Sequence, residues 1–447
     1  LAAGTGLSSC QIGKSYTRPD MPLPARLDTL TQDTASIGDL SWWELYNDTT
    51  LQQLIHRALT YNKDLKIASA RMNELAALKR VDFANMFPQA TARLNGNRET
   101  TNYGGDNFDA DSELSLTASI SWELDLWGNL RWARDRSTAE FLASVENCRA
   151  VKMGLVAQVA QSYFELMALD NELAIVRRTL EARREGVRLA EIRFKGGLTS
   201  EIVFQQAKVE LAKTATMVPD LERRISLKES EIALLTGDFP YAVNRNILPE
   251  EIQLPDALPL GLPSTLLERR PDIRKAEREL MAAHAEVGLA YTNMFPRLAL
   301  TATLGTESET LRDFLKSPYS YLAGNLLSPL FAMGKNRAAL KAKRAAYEGA
   351  VAEYEQTVLT AFKETHDAII NFNKIKDIYE SRRQLAEASR TAVELAQLQY
   401  INGVIGYLDL LDAQRNYFDA QVSLSNAVCN KQLMIINLYK ALGGGWK

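Results

Sequence analysis

Asp409 and Asp412 stand three residues apart in the run Leu408-Asp409-Leu410-Leu411-Asp412-Ala413, just after the glycine-broken segment Asn402-Gly403-Val404-Ile405-Gly406. On a helix that spacing puts both carboxylates on one face, and acids in the first turns of a helix also simply suit its dipole. Cys10 offers different chemistry. It follows Leu7-Ser8-Ser9 and a run of small and apolar residues without charge, which reads as the tail of a lipoprotein signal. Acyl groups on such a cysteine hold a chain to a bilayer at about 0.8 kcal/mol per buried CH₂. Gln11 rather than Asp in the next position suggests sorting to an outer membrane, and the alternative is an ordinary thiol in a terminal tail.

Other candidates fail on spacing. Gly13-Lys14-Ser15 resembles the end of a phosphate loop, but the glycine that opens such a loop would fall at Ser8 and no strand precedes it. Cys148 and Cys429 lie in helical patterns and read as buried thiols rather than a disulfide or metal pair. His56, His284 and His366 are scattered, and there is no zinc-protease helix motif, nucleophile elbow or Cys-x-x-Cys. We therefore expect no enzyme, no metal and no cofactor.

The elements that position these residues are written twice. Asn85-Met86-Phe87-Pro88 recurs as Asn293-Met294-Phe295-Pro296, a shift of 293 − 85 = 208 that also brings Asp64-Leu65 onto Asp272-Ile273. Further on the shift becomes 206, matching Gly128 to Gly334, Gly197 to Gly403, Ala207 to Ala413 and Leu235-Thr236-Gly237 to Ala441-Leu442-Gly443. Ordered matches of this kind mark duplication of one structural unit. No proline occurs between Pro88 and Pro219 or after Pro329, so very long helices are allowed. A helix from Leu130 to Phe194 would extend on the order of 100 Å. Val156, Val159, Tyr163, Leu166, Leu173, Val176 and Leu180 form a coiled-coil stripe on it, with Arg177, Arg178, Arg183 and Arg184 among the polar positions. Lys195-Gly196-Gly197-Leu198-Thr199-Ser200 ends this helix and Asn402 to Gly406 ends its repeat, so each half carries a helical hairpin with a glycine tip.

After each Asn-Met-Phe-Pro segment the period switches to two. Leu114, Leu116, Ala118, Ile120, Trp122 and Leu124 alternate with Ser115, Thr117, Ser119, Ser121, Glu123 and Asp125. Thr91, Arg93, Asn95 and Asn97 alternate likewise before them, as do Leu298, Leu300, Ala302 and Leu304 in the second half, and a fourth strand falls around Tyr319 to Leu330. A sandwich or a transmembrane barrel could use such strands, and their length of about 10 residues suits a bilayer crossing. Arg98 to Glu113 and Gly305 to Pro318 read as long polar turns. Trp122, Trp127 and Trp132 suit an interfacial belt, though core packing would also explain one or two. Pro88 and Pro296 mark the helix-to-strand junctions. Four strands cannot close a water-filled barrel, and lipid does not tolerate open edges, so the chain must oligomerise.

Composition excludes some partners. Lys+Arg of 52 against Asp+Glu of 55 in 447 residues leaves a net charge of −3, which argues against nucleic acid. No stretch approaches the roughly 18 apolar residues of a membrane-spanning helix.

Taken in order, Cys10 with Tyr16-Thr17-Arg18-Pro19, Trp42-Trp43, Asn62-Lys63-Asp64-Leu65, Phe87-Pro88, Asp125-Leu126-Trp127-Gly128, Gln161-Ser162-Tyr163-Phe164, Glu268-Arg269-Arg270-Pro271-Asp272-Ile273, Phe295-Pro296, Leu408 to Ala413 and Ala441 to Trp446 make nearly the whole chain resemble the TolC-like bacterial outer-membrane efflux proteins. The resemblance implies a mainly α chain with a transmembrane β-barrel: a homotrimer whose barrel of about 12 strands continues into a helical tunnel across the periplasm. It implies a passive duct for drugs, detergents or bile salts, lipid-anchored in the outer membrane. Its partners would be a periplasmic adaptor (membrane fusion) protein, an inner-membrane RND-type transporter and outer-membrane lipid. Similar aspartates line the periplasmic constriction in this family, so Asp409 and Asp412 would form a gate ring. Crowding of carboxylates there would raise some of their pKa values and attract cations. The tips at Gly196, Gly197, Leu198, Thr199, Gly403 and Gly406 would contact the adaptor.

Two departures follow. Subtracting 206 from Asp409 and Asp412 gives Val203 and Gln206, so only one hairpin supplies acid. Where the type member has a basic latch this chain has Ile405, which implies closure by packing of Val404, Ile405 and Tyr407. Type I protein secretion and heavy-metal efflux remain alternatives for the duct, and a structural coiled-coil envelope protein is the alternative of another class. The expected divisions are a signal remnant (1–9), an anchored extended segment (10–48), a first repeat (49–237; strands about 88–127, tip near 195–200), an equatorial linker (238–262), a second repeat (263–442; strands about 296–330, tip near 402–406) and a tail (443–447).

Overall fold

The duplication inferred from sequence reappears as matched element lengths. In the computed structural model, which describes residues 11–22, 37–45, 48–102, 104, 109–245, 263–310, 312–329, 331 and 333–446, a short 3₁₀ turn at Ile37–Asp39 precedes α1 (Trp42–Leu45) and α2 (Thr49–Tyr61). The first half continues with α3 (Lys63–Ala84), β1 (Gln89–Thr101), β2 (Asp109–Leu124), α4 (Asn129–Lys195) and α5 (Glu201–Leu235). The second runs α6 (Pro263–Arg269), α7 (Pro271–Thr292), β3 (Arg297–Ser308), β4 (Pro318–Leu327), α8 (Lys335–Ile401) and α9 (Tyr407–Ala441). Helices α3 and α7 have 22 residues each, α4 and α8 have 67 each, and α5 and α9 have 35 each. The shift is 297 − 89 = 208 where the strands begin and 335 − 129 = 206 where the long helices begin, so the two-residue slip lies in the hairpin between them. Helix α5 runs on through Pro219.

The chain divides into two units. One comprises Leu1–Met21, Ala70–Glu146 and Lys275–Thr357; the other comprises Pro22–Ser69, Asn147–Arg274 and Val358–Lys447.

The first unit contains one antiparallel four-stranded sheet in the order β1-β2-β3-β4. Its register carries the alternation across all four strands. Ala90 pairs with Ile120, Ile120 with Ala302 and Ala302 with Leu322; on the same face the next rows run Trp122, Leu300, Gly324 and then Leu124, Leu298, Leu326. One residue over, Thr91, Ser119, Thr303 and Tyr321 form a row of the opposite face, where the Ser119 and Thr303 hydroxyls lie 2.9 Å apart. Ile120, Leu304 and Leu322 are exposed, so the apolar face has no covering layer within the chain. A sandwich is therefore not what these strands build among the described residues, and β1 and β4 are left as edges.

The polar turn expected at Arg98 to Glu113 is shorter than the sequence suggested, whereas the one expected at roughly Gly305 to Pro318 falls within a residue or two of its place. The first ladder continues to Thr101 opposite Asp109 and the second to Thr306 opposite Pro318. Side-chain polarity does not interrupt backbone pairing, so the first hairpin extends past the apolar band.

Each helix-to-strand junction is built alike. Asn85, Met86 and Phe87 donate their amides to Val81, Phe83 and Ala84, and Asn293, Met294 and Phe295 do the same to Leu289, Tyr291 and Thr292. The last two bonds of each set tighten the turn to i→i−3, and the proline that follows has no amide to continue it. Trp122 Nε1 donates to the Met86 carbonyl (3.1 Å) and Trp127 Nε1 to that of Pro296 (2.7 Å), so one indole clasps each copy. Trp132 is buried at 6% exposure and donates to the Ile12 carbonyl (2.9 Å), a packing role rather than a belt.

The second unit is helical around one long core. Every member of the stripe from Val156 to Leu180 is buried. Asp48 caps α2 by accepting from the Thr50 and Leu51 amides (2.8 and 3.1 Å), and the Tyr163 hydroxyl donates to its other oxygen (2.9 Å). Residues 246–262 of the expected linker fall outside the described residues. Its described start docks on α4 and α5: Val243 is buried, and Arg245 is held between Asp170 and Glu229. Cys148 and Cys429 are free thiols, and burial pushes the Cys429 thiol up to about 12.

Candidate functional site

The two hairpin tips are copies. Leu198 and Val404 donate their amides back to Arg193 and Gln399 (both 2.8 Å), and Gly197 and Gly403 both sit at φ +72°. That left-handed conformation favours glycine, which fixes the turn at these two positions. Leu198 (74% exposed) and Val404 (70%) crown the tips, with Ile202 and Leu408 exposed one turn further at matching places, 408 − 202 = 206. Gly196, Gly403 and Gly406 are also exposed, and Thr199 is half-buried.

Asp409 and Asp412 both lie on the exposed side of α9 and line one groove with Ser389, Ala392, Arg415 and Asn416. The Asp409 carboxylate accepts from the Gly406 amide (3.0 Å), half of a capping box, and Asp412 accepts from the Asn416 side chain (3.1 Å). Both roles proposed for these acids are thus compatible: one Asp409 oxygen is spent on the helix start while the charge remains at the surface. Ile405 and Tyr407 pack on Ala396, Tyr400 and Leu410, with the Tyr400 and Tyr407 rings 5.8 Å apart. Val404 takes no part in that cluster and points to the surface.

Behind the groove lies a cluster that sequence reasoning missed. Glu210 of α5 is 6% exposed and its carboxylate meets Arg415 of α9, Lys213 (3.3 Å) and, at 3.8 Å, Arg183 of α4. Arg183 is 7% exposed and donates to the Gln414 side-chain oxygen (2.9 Å). The hydrogen bond from Arg415 is the largest influence holding the Glu210 carboxyl below its ordinary range, and burial lowers Arg183. Arg183 was assigned to the polar positions of α4, and the structure corrects this. The spacing 173, 176, 180 leads on to 183, so Arg183 continues the buried stripe, and Glu210 compensates its charge. In the second half these positions are Ser389 and Asn416, by adding 206, so the second hairpin has no buried charge pair of its own and instead lends Arg415 and Gln414 to that of the first.

A second missed pair sits at the other end of these helices. The Asn62 side chain donates to the Leu235 carbonyl (3.0 Å) and Arg270, its repeat counterpart at 62 + 208, donates to the Ala441 carbonyl (3.2 Å). Each closes the C-terminal end of the shorter hairpin arm. Cys10 lies outside the described residues. Among the described residues no helix is long and apolar enough to cross a membrane, and no group of three or more His, Cys, Asp or Glu is placed to hold a metal ion.

Comparison with known proteins agrees with this geometry. A family model described as outer membrane efflux protein matches residues 54–238 and again 262–444, one match for each repeat. The chain is similar to the outer membrane protein OprJ of Pseudomonas aeruginosa, with 32% identity over 98% of this chain and 94% of that protein. It is also similar to the cation efflux system protein CusC of Escherichia coli, with 29% identity over 99% and 97%. Among solved structures, the outer-membrane channel OprN superposes with a TM-score of 0.90 at 30% identity, covering 98% of this chain and all of that one.

Proposed function

The chain belongs to the outer membrane efflux protein family, and from that premise we propose that it is the outer-membrane duct of a three-part efflux pump. It is an outer-membrane protein of TolC-like fold, and members of its family are channels. The observation that carries the reading is the sheet: four strands with one apolar and one polar face, with unpaired edges at β1 and β4. Lipid demands that those edges be paired. Three copies joined edge to edge give a closed barrel of about 12 strands with water inside and lipid outside.

The tips supply the partner surface. Leu198, Ile202, Val404 and Leu408 offer apolar contacts to a periplasmic adaptor, which in turn engages an inner-membrane transporter of the RND type. In the trimer Asp409 and Asp412 from each chain ring the narrow axis, where their crowded charges gather cations. Acylation of Cys10 anchors the chain to the same membrane. The cargo is small toxic molecules such as drugs, detergents or bile salts. Loss of the gene should then sensitise cells to some of these, and a deletion strain that changes sensitivity only to metal salts would reassign the cargo.

In a planar bilayer the purified protein should conduct, and divalent cations added on the periplasmic side should block the current. Asp409→Asn with Asp412→Asn removes the charge but keeps the oxygen that caps α9, so the block should weaken by about tenfold or more with folding intact. Undiminished block in that double variant rejects the ring, and absence of any stable pore rejects the duct in favour of a coiled-coil scaffold.

A further inference from the structure

The second repeat begins its long helix with an unbalanced charge. Arg337, Lys341 and Arg344 follow one another at i, i+4 and i+7 along one exposed face of α8, and no carboxylate occurs from Lys335 until Glu348. Their first-repeat counterparts, by subtracting 206, are Arg131, Asp135 and Thr138. Arg131 is neutralised by Asp125 (3.0 Å), whereas the residue matching Asp125 in the second repeat is Phe331. Lys343, on another side of α8, is paired with Glu286 (2.6 Å). Among the described residues Arg337, Lys341 and Arg344 make no ion pair, and neither does Lys14.

Lys14 belongs to the N-terminal strap, which is fastened beside this stripe. The Ile12 amide donates to the Trp127 carbonyl (3.2 Å), Gln11 donates to Asp135 (3.2 Å), and Arg18 grips Glu277 through two bonds of 2.6 Å. Lys14 and Arg344 line one cavity together with Ile12, Trp132, His284 and Tyr347. In sequence, Cys10, the residue proposed to carry acyl chains, immediately precedes Gln11. Phe331 (83% exposed) and Met333 (86%) lie between the end of β4 and the start of the stripe, the pairing of apolar and basic residues found at membrane interfaces.

We propose that Arg337, Lys341 and Arg344, with Lys14, form a docking surface for the phosphodiester headgroups of anionic phospholipid in the leaflet that receives the Cys10 acyl chains. The inference rests on the outer-membrane reading above. It makes the second repeat the lipid-reading half of each protomer and the first repeat a charge-balanced one. A basic side chain at an anionic surface gains about fivefold in binding, so three or four together select anionic over zwitterionic lipid and do so less at high salt.

The test uses the protein expressed in a Gram-negative host and placed in nanodiscs of phosphatidylcholine mixed with phosphatidylglycerol. Native mass spectrometry of the released protein should show phosphatidylglycerol retained about fivefold or more above its share of the disc. The Arg337→Gln, Lys341→Gln, Arg344→Gln triple variant should retain it only in proportion, while conduction in a neutral bilayer stays unchanged. Arg337→Lys with Arg344→Lys should keep the enrichment. Equal enrichment in the wild type and the triple variant overturns the proposal, as does none in the wild type. Displacement of the lipid by inorganic phosphate at matched ionic strength would mark a small-anion site and overturn it too. The mass of the N-terminal peptide and the conductance report anchoring and the duct separately.

Discussion

Glu210→Ala should destabilise the tip of the first hairpin by about 3–5 kcal/mol, the cost of leaving a buried charge without its partner. The carboxylate is nearly inaccessible and binds Arg415, Lys213 and, more distantly, Arg183, itself buried. Removing it strands Arg183 with only the neutral Gln414 oxygen as partner. Lys213→Ala should cost almost nothing, because its side chain is 65% exposed and solvent-screened. Glu210→Gln should fall between the two, since it can still accept hydrogen bonds but no longer balances the charge. Because the folded carboxyl titrates below its unfolded value, its contribution is present above the unfolded pKa and is lost as pH falls through the folded one. Hydrogen exchange at residues 180–190, 205–215 and 407–417 reads the local loss directly. Unchanged protection in those segments would show that the cluster does not hold the hairpins together.

The duplication was legible because it is carried by residues that backbone geometry constrains. Gly197 and Gly403 occupy a left-handed turn, and Pro88 and Pro296 end a helix, so each leaves a letter that chemistry cannot easily exchange. The strand faces were legible for a similar reason, since lipid and water impose opposite demands at a period of two. Strand ends were not, because Arg98 to Thr101 pair through backbone groups that the side chains do not report. Arg183 was misplaced because hydropathy assigns a charge to the surface; only the position of Glu210, 27 residues later on the neighbouring helix, reverses that. Asp409 and Asp412 were singled out by their spacing and by the family likeness. The groove they line includes Ser389 from the other arm of the hairpin, which sequence alone does not bring near.

Arg270→Ala should be the most damaging single change at the base of the second hairpin. Arg270 is 4% exposed, and its guanidinium donates to both oxygens of Asp272 (3.0 and 2.5 Å), to Glu364 (2.6 Å) and to the Ala441 carbonyl (3.2 Å). Burial works against the charge, but the bonds it donates to Asp272 and then Glu364 outweigh it and hold the guanidinium above its ordinary value. Truncation removes a charge-assisted network for which we expect a loss of about 3 kcal/mol, toward the lower end for a buried pair. The lower end applies because the stranded carboxylates can recover water: Asp272 is 35% and Glu364 52% exposed. Arg270→Lys should keep the charge but lose the fork, since an ammonium cannot span Asp272, Glu364 and a carbonyl together. Asn62→Ala in the first repeat removes the equivalent carbonyl contact and the bond from the Leu65 amide (3.0 Å), but no charge, and should cost about 1–2 kcal/mol. Thermal unfolding of the detergent-solubilised protein should therefore rank the variants Arg270→Ala below Arg270→Lys and Asn62→Ala. If Asn62→Ala proved as damaging as Arg270→Ala, the shared carbonyl closure would be the stabilising element of both repeats, and the charge network around Arg270 would contribute nothing of its own.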